Sequence, residues 1–218
     1  MTSETGARRI YRARVVRRRR SALAVVLAVA VTAVVLVTAR RGDPQPLRVK
    51  YDRAAAVRYA DEWALKDNPE YWSSPDSDCA NFVSQCLAAG GLRSTFDAGR
   101  EWRSNGTEFP TVAWVNCGAQ QRALSSRGAA HSRYIVGTSH ALPAGWAAGD
   151  IVYLGNEVDG KLEWQHVIIC AGKRDGSWVY DSHTTAYRRT PLSHWYPAHF
   201  SEVSFCHVAG VVTYDAAD

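Results

Sequence analysis

The chain changes its hydrophobic period about halfway along, and this change constrains its fold more than any other feature. Three early segments carry apolar residues at helical spacing, at 51–71, 79–89 and 114–128. Four later segments carry the patterns of strands, at 149–156, 164–172, 177–183 and 207–214. Helices followed by strands predict an α+β domain, with N-terminal helices packed on an antiparallel sheet.

The N-terminus predicts a membrane segment. Eight arginines within residues 1–20 precede an uncharged run of 19 residues, 21–39. As a helix this run is ~28 Å long, close to the thickness of a hydrocarbon core. We predict a basic cytoplasmic segment at 1–20, a transmembrane signal-anchor or signal peptide at 21–39 and a linker at 40–50. The catalytic domain, 51–216, is then extracellular. It is held at the cell membrane, or secreted if cleavage follows the small residues that end the run.

The charge distribution argues against nucleic acid as a partner. The formal charge of +5 comes from residues 1–41, which hold ten arginines and one acidic residue. The remaining residues hold 16 Lys and Arg against 20 Asp and Glu. A nucleic-acid-binding domain normally carries a basic patch, and the body of this chain is mildly acidic.

Cys79 is the candidate nucleophile because it begins the predicted helix 79–89. Free backbone N–H groups and the dipole at a helix start favour a thiolate. The neighbouring Asp78 opposes this electrostatically, so an imidazole is required as well. A buried core thiol and one half of a disulfide are the alternatives for Cys79.

His166 is the candidate base and His183 the candidate orienting residue. If Asp175-Gly176 is a two-residue hairpin turn, Ile168 pairs with His183. His183 is then a diagonal neighbour of His166 on the same face of the sheet. Asp181 lies on that face too and is the reserve choice for the third residue. This geometry depends on the turn, because one extra residue would reverse the face.

Three polar residues around Cys79 are candidates for shaping the site: Asp78, Asn81 and Gln85. Asp78 can cap the helix, and hydrogen bonding to nearby backbone is the favoured role of the other two. A zinc site built from Cys79, His166 and His183 lacks the usual ligand spacings. We therefore expect no metal and no cofactor.

The five cysteines also bear on the fold. In an exported domain they suggest disulfides, and an odd number leaves at least one free thiol, as a nucleophile at Cys79 requires. The sequence does not determine the pairing of Cys86, Cys117, Cys170 and Cys206. Cys86 and Cys170 lie in apolar patterns and fit equally well as buried thiols.

These motifs resemble a known bacterial family, the "Putative amidase domain", over roughly residues 51–192. The matching motifs run in the family's order: Tyr51-Asp52-Arg53, Asn68-Pro69, Asp78-Cys79-Ala80-Asn81-Phe82-Val83-Ser84-Gln85, Trp114-Val115-Asn116, Gly149-Asp150-Ile151, His166-Val167 and Ser182-His183. Ala80 stands where the family commonly has threonine or serine.

The resemblance implies a function as well as a fold. The family is similar to the NlpC/P60 and CHAP cysteine peptidases, which implies a papain-like fold, a Cys79 nucleophile, a His166 base and His183 as third residue. It implies hydrolysis of amide bonds, with a peptide or peptidoglycan-type substrate. An acyl transferase on the same fold and a non-catalytic cell-surface binding module are the alternatives.

Overall fold

The computed structural model describes residues 47–95, 101–125, 132–137 and 142–214, of which 132–137 and 212–214 are described by their backbone alone. The predictions for 1–20, for 21–39 and for the first part of the linker concern residues outside this range. Among the residues described, no helix is long and apolar enough to cross a membrane.

The described chain forms its helices before most of its strands, which confirms the predicted α+β order. The helices are α1 (Arg53–Trp63), α2 (Cys79–Ala89), α3 (Val112–Val115) and α4 (Cys117–Ser125). The strands are β1 (Leu47–Lys50), β2 (Ser132–Gly137), β3 (Ile151–Val158), β4 (Lys161–Arg174), β5 (Ser177–Ser182), β6 (Tyr187–Pro191), β7 (Glu202–Val208) and β8 (Val211–Tyr214).

Helix α2 has the predicted bounds, and its C-terminal end carries a strong glycine signal. It is almost wholly buried, since every residue from Cys79 to Leu87 lies in the interior. Gly90 follows it, and Gly91 has the left-handed φ of 93° that glycine adopts without strain. The Leu92 N–H then donates to the Leu87 carbonyl, which closes the helix end.

The other two helical predictions differ from the structure within the described residues. Helix α1 ends at Trp63, several residues before Asn68-Pro69. The predicted helix 114–128 is two helices, because Asn116 takes an extended conformation between α3 and α4. The Asn116 side chain accepts a hydrogen bond from the Ala119 N–H at 2.9 Å and so caps the start of α4.

The described strands form a six-stranded antiparallel sheet in the order β2-β7-β3-β4-β5-β6, and β1 pairs with β8 separately. Strands β1, β2 and β6 were not predicted. Within the predicted linker 40–50, residues Leu47–Lys50 form β1 and pair with Val211–Tyr214. The predicted strand 207–214 is divided between β7 and β8.

The sheet has a core on each face. The helix-side core joins α2 to Val167 and Ile169 of β4. The far-side core contains Ile168 and Cys170 of the same strand, covered by Trp195 and Tyr196. Successive side chains of β4 thus point to opposite faces of the sheet, as in any β-strand.

Because of a β-bulge in β4, His183 faces the opposite side of the sheet from the one predicted. The turn was predicted correctly, since Arg174 pairs with Ser177. Ala171 has no partner, however, because Cys170 pairs with Tyr180 and Gly172 with Val179. Beyond this extra residue the register moves by one, and the residues that follow on β5 face the opposite side of the sheet from the one predicted.

Candidate active site

Cys79 lies where the start of α2 meets strand β4. Its side chain is 4% exposed. The Asp78 side chain makes no capping bond to α2, although sequence reasoning gave it that role. Instead the Thr184 hydroxyl accepts hydrogen bonds from the N–H groups of Asp78, at 2.7 Å, and of Cys79, at 3.1 Å. A side chain from the β5–β6 turn therefore holds the helix start.

The surroundings of Cys79 favour its thiolate. A hydrogen bond from Cys117, whose Sγ is 3.6 Å from the Cys79 Sγ, lowers the pKa of the Cys79 thiol. Burial opposes this, while hydrogen bonding and charge from His166 and the backbone of Val167 lower the pKa further. The net result is a Cys79 pKa well below its usual value and a Cys117 pKa well above it. Cys79, beside the imidazole, is the thiol that ionises first.

His166 follows a second β-bulge in β4. Trp164 pairs with Gly155 and His166 with Leu154, which leaves Gln165 as the extra residue. The His166 ring is 7% exposed and lies parallel to Phe200 with ring centres 5.9 Å apart. Its Nε2 atom is buried and has no hydrogen-bond partner in the described part of the chain.

A cavity of about 370 Å³ adjoins His166. Three aromatic rings line it, and three further polar side chains complete it: Tyr187, Trp195, Phe200, Thr185, His194 and His199. The lining residues that the structure describes include no carboxylate, lysine or arginine. The cavity therefore suits an uncharged group that can stack on aromatic rings and hydrogen-bond to imidazole or hydroxyl groups.

The structure does not bring His183 to His166. The His183 Nδ1 lies 2.8 Å from the Asp78 Oδ2, and its Nε2 lies 2.7 Å from the carbonyl oxygen of Trp63. The ring stacks on Phe82 in the helix-side core at 4.1 Å. Burial lowers the pKa of His183, but the Asp78 carboxylate and the Trp63 carbonyl outweigh it and leave that pKa raised. His183 thus supports the start of α2.

Asp181, the reserve third residue, also has another role. It pairs with Ile169 rather than Cys170, on the helix side of the sheet. Its Oδ1 accepts a hydrogen bond from the Arg189 N–H at 2.6 Å, and its Oδ2 has no partner among the described residues. Burial raises the pKa of Asp181 to about 6.

Asp78, Asn81 and Gln85 fix the helix rather than face His166. The Asn81 amide donates to the Trp72 carbonyl at 2.6 Å and to Asp78 at 2.8 Å. The same Asp78 oxygen, Oδ1, also accepts from the Ser74 N–H and so ties the preceding loop to α2, while Oδ2 is bonded to His183. Gln85 accepts a hydrogen bond from the Tyr59 hydroxyl of α1 at 2.7 Å.

The same geometry shows the state of the cysteines and where possible metal ligands lie. All five cysteines lie in the described part of the chain, and each is a free thiol, so the expected disulfides are absent. The zinc set of Cys79, His166 and His183 is not assembled. Asp67, Asp78 and His183 place ligand atoms within 4.8 Å of one another, but the direct bond between His183 and Asp78 already satisfies two of them.

Sequence reasoning missed Cys117 and Thr184. Cys117 follows Asn116 at a helix start, a position that could have been identified from the capping signal. Thr184 has a φ of 77°, which is unusual for a β-branched residue and marks a constrained turn. Nothing in the local sequence links Thr184 to a helix more than 100 residues earlier.

Comparison with known proteins identifies the class. A family model described as "Putative amidase domain" matches residues 50–205, most of the chain. The chain belongs to this family, whose description indicates a hydrolase acting on amide bonds. No solved structure matches the chain.

Two curated relatives come from Bacillus subtilis (strain 168). The uncharacterized protein YhbB is 29% identical over 126 residues, 57% of this chain and 39% of the relative. The uncharacterized protein YjcM is 44% identical over 69 residues, 32% of this chain and 15% of the relative. The chain thus spans well under half the length of either relative.

Proposed function

We propose that this chain is an exported cysteine amidase that hydrolyses amide bonds in cell-wall peptides. The observation that carries the proposal is the position of the buried Cys79 thiol, at the start of α2 and in hydrogen-bonding reach of His166, which lowers the pKa of the thiol. Membership of the amidase family supports the reaction class. The N-terminal arginines and the apolar run 21–39 support export, and export would place the domain beside peptidoglycan.

Cys79 attacks the amide carbonyl as a thiolate and forms an acyl-enzyme. His166 protonates the departing amine, then removes a proton from the water that releases the acid product. Because Nε2 has no partner among the described residues, we assign the interaction with Cys79 to the His166 Nδ1. The helix-first order and the thiol at a helix start also support a papain-like fold.

His183 acts in this proposal as a positioning residue, and the triad becomes a Cys79–His166 pair. The imidazole of His183 neutralises Asp78, which otherwise opposes the thiolate one residue away. No third protein group among the described residues meets the Nε2 of His166. We propose that water or a substrate group next to the cavity is its partner.

The Cys79 N–H is the natural donor to the oxyanion that forms in the reaction. In the resting structure this N–H is bonded to the Thr184 hydroxyl at 3.1 Å. We propose that the substrate oxygen shares or replaces this bond when it binds. The Thr184 oxygen thus marks a position that an oxyanion would occupy.

The test uses purified full-length chain and isolated muropeptides, with products identified by mass spectrometry. Cys79→Ala and His166→Ala should lose turnover, the latter by roughly 10²-fold or more. Cys170→Ala, on the far side of the sheet, is the matched control and should keep it. Unchanged turnover in Cys79→Ala would refute the nucleophile, and products carrying an amine or hydroxyl acceptor in place of water would show a transferase.

A further inference from the structure

Two thiols face each other at the candidate site. The Sγ atoms of Cys79 and Cys117 are 3.6 Å apart. Cys79 is the first residue of α2, and Cys117 is the first residue of α4. These helices have 11 and 9 residues, so each sulfur lies at the N-terminal, positive end of a helix dipole. Both helix starts favour negative charge on the neighbouring sulfur.

We propose that Cys79 and Cys117 are a peroxide-sensitive pair that forms a reversible disulfide. A disulfide needs an S–S distance of about 2.05 Å, so the sulfur atoms must approach by roughly 1.5 Å. Rotation of the two side chains about their Cα–Cβ bonds can supply a movement of this size. Cys79 and Cys117 are only 4% and 6% exposed, so the site admits a small peroxide molecule more easily than a bulky disulfide reagent.

The two steps balance with hydrogen peroxide as the oxidant. The Cys79 thiolate attacks one peroxide oxygen, the O–O bond breaks, and Cys79 becomes a sulfenic acid with release of hydroxide. The Cys117 sulfur then attacks the Cys79 sulfur, the S–O bond breaks, and an S–S bond forms with release of water. In total, two thiols and one hydrogen peroxide yield one disulfide and two water molecules.

The geometry assigns different roles to the two sulfurs. Cys79 reacts first because its thiolate is favoured by His166 and by the hydrogen bond from Cys117. Cys117 keeps its proton and acts as the resolving thiol. Capture of the sulfenic acid by Cys117 prevents irreversible oxidation to the sulfinic acid. The loss of hydrolysis that accompanies the disulfide rests on the proposed function, but the disulfide itself does not.

The experiment treats purified full-length chain with hydrogen peroxide, blocks free thiols and maps peptides without reduction. Trypsin cleavage after Lys66 and Arg93 releases peptide 67–93, which holds Cys79 and Cys86, and cleavage after Arg103 and Arg122 releases peptide 104–122 with Cys117. We expect a cross-link between these peptides, assigned to Cys79 by fragmentation and lost with dithiothreitol. A cross-link through Cys86, or Cys79 converted to sulfinic acid without a cross-link, overturns the proposal.

Two variants test whether Cys117 is the resolving thiol. In Cys117→Ala the sulfenic acid at Cys79 should persist, be trapped by a dimedone probe, and proceed to the sulfinic acid faster than in the parent chain. Cys170→Ala should form the same cross-link as the parent. Equal rates of sulfinic acid formation with and without Cys117 contradict the resolving role. If Cys117→Ala fails to fold, the peptide map of the parent chain decides alone.

A cross-link in a chain without hydrolase activity overturns the proposed function and leaves the redox pair standing.

Discussion

Replacing His183 with glutamine tests the assignment of this residue to the helix start. Its two ring nitrogens each face an acceptor, the Asp78 Oδ2 at 2.8 Å and the Trp63 carbonyl oxygen at 2.7 Å. A ring that donates from both nitrogens carries a positive charge. The two side chains are only 7% and 5% exposed, so His183 and Asp78 form a buried ion pair.

The expected cost follows from this burial. Removing one partner of a buried ion pair costs about 3–5 kcal/mol, because the other charge stays buried without compensation. Asp78 keeps its bonds from the Ser74 N–H and the Asn81 amide, so we expect the lower end, about 3 kcal/mol. Loss of the ring stacked on Phe82 adds to this cost.

Chemical denaturation at pH 6 and pH 9 measures the effect. The pKa of His183 is raised by folding, so the pair stabilises fully below the unfolded pKa of about 6.5 and loses this contribution as pH rises through the folded pKa. The free-energy difference between the parent and His183→Gln should therefore be larger at pH 6. Asp78→Asn provides the control: in a double-mutant cycle the two substitutions should be strongly non-additive.

Additive effects, or a His183→Gln variant with unchanged unfolding at pH 6, would refute this role. A third catalytic residue would give a different pattern, in which hydrolysis is lost and the stability of the fold is kept.

Substitutions at three further positions, Thr184, Asp181 and Gly155, test the elements around the site. Thr184→Val, which removes the acceptor for two N–H groups, should cost about 2 kcal/mol in denaturant unfolding, and Thr184→Ser should not. Asp181 has a pKa of about 6, so its burial destabilises the fold by roughly 3 kcal/mol as pH rises from 4 to above 6. Asp181→Asn should therefore raise the melting temperature at pH 8 and not at pH 4. Gly155→Ala would place a Cβ 2.4 Å from the Glu163 carbonyl oxygen and should cost ~1–3 kcal/mol, whereas Gly210→Ala, with open space, should be neutral. Equal stability losses in Thr184→Val and Thr184→Ser, or in Gly155→Ala and Gly210→Ala, would contradict the assigned contacts. An equal change in melting temperature for Asp181→Asn at pH 8 and pH 4 would contradict the burial effect.

The elements that could be predicted are those whose signals are local. Helix α2 was predicted at about 79–89, where the structure has it, because an apolar stripe lies between Asp78 and Gly90-Gly91. The Asp175-Gly176 turn was predicted because both residues accept a positive φ, and they have φ values of 51° and 79°. The thiol at the start of α2 and the imidazole on β4 follow from the same local patterns.

The relation between the histidines could not be predicted, because it depends on a single unpaired residue. Ala171 shifts the β4–β5 register and turns Asp181 and His183 toward the helices. The signal was present: Gly172, inside the apolar part of β4, has a φ of 112°, and an isolated glycine in a strand pattern often marks a bulge. Cys117 and Thr184 approach Cys79 only through tertiary packing, for which the sequence has no local signal.

The two histidines are linked through Asp78. An unpaired carboxylate one residue from Cys79 would raise the pKa of the thiol. The protonated His183 ring is bonded to Asp78 and offsets this charge, so we expect the preference for a thiolate at Cys79 to depend on His183 as well as on its direct neighbours. We therefore expect His183→Gln to shift the pH profile of Cys79 alkylation by iodoacetamide to higher pH, and Asp78→Asn/His183→Gln to return it toward the parent. The same profile in all three chains would show that Asp78 has no electrostatic influence on the thiol.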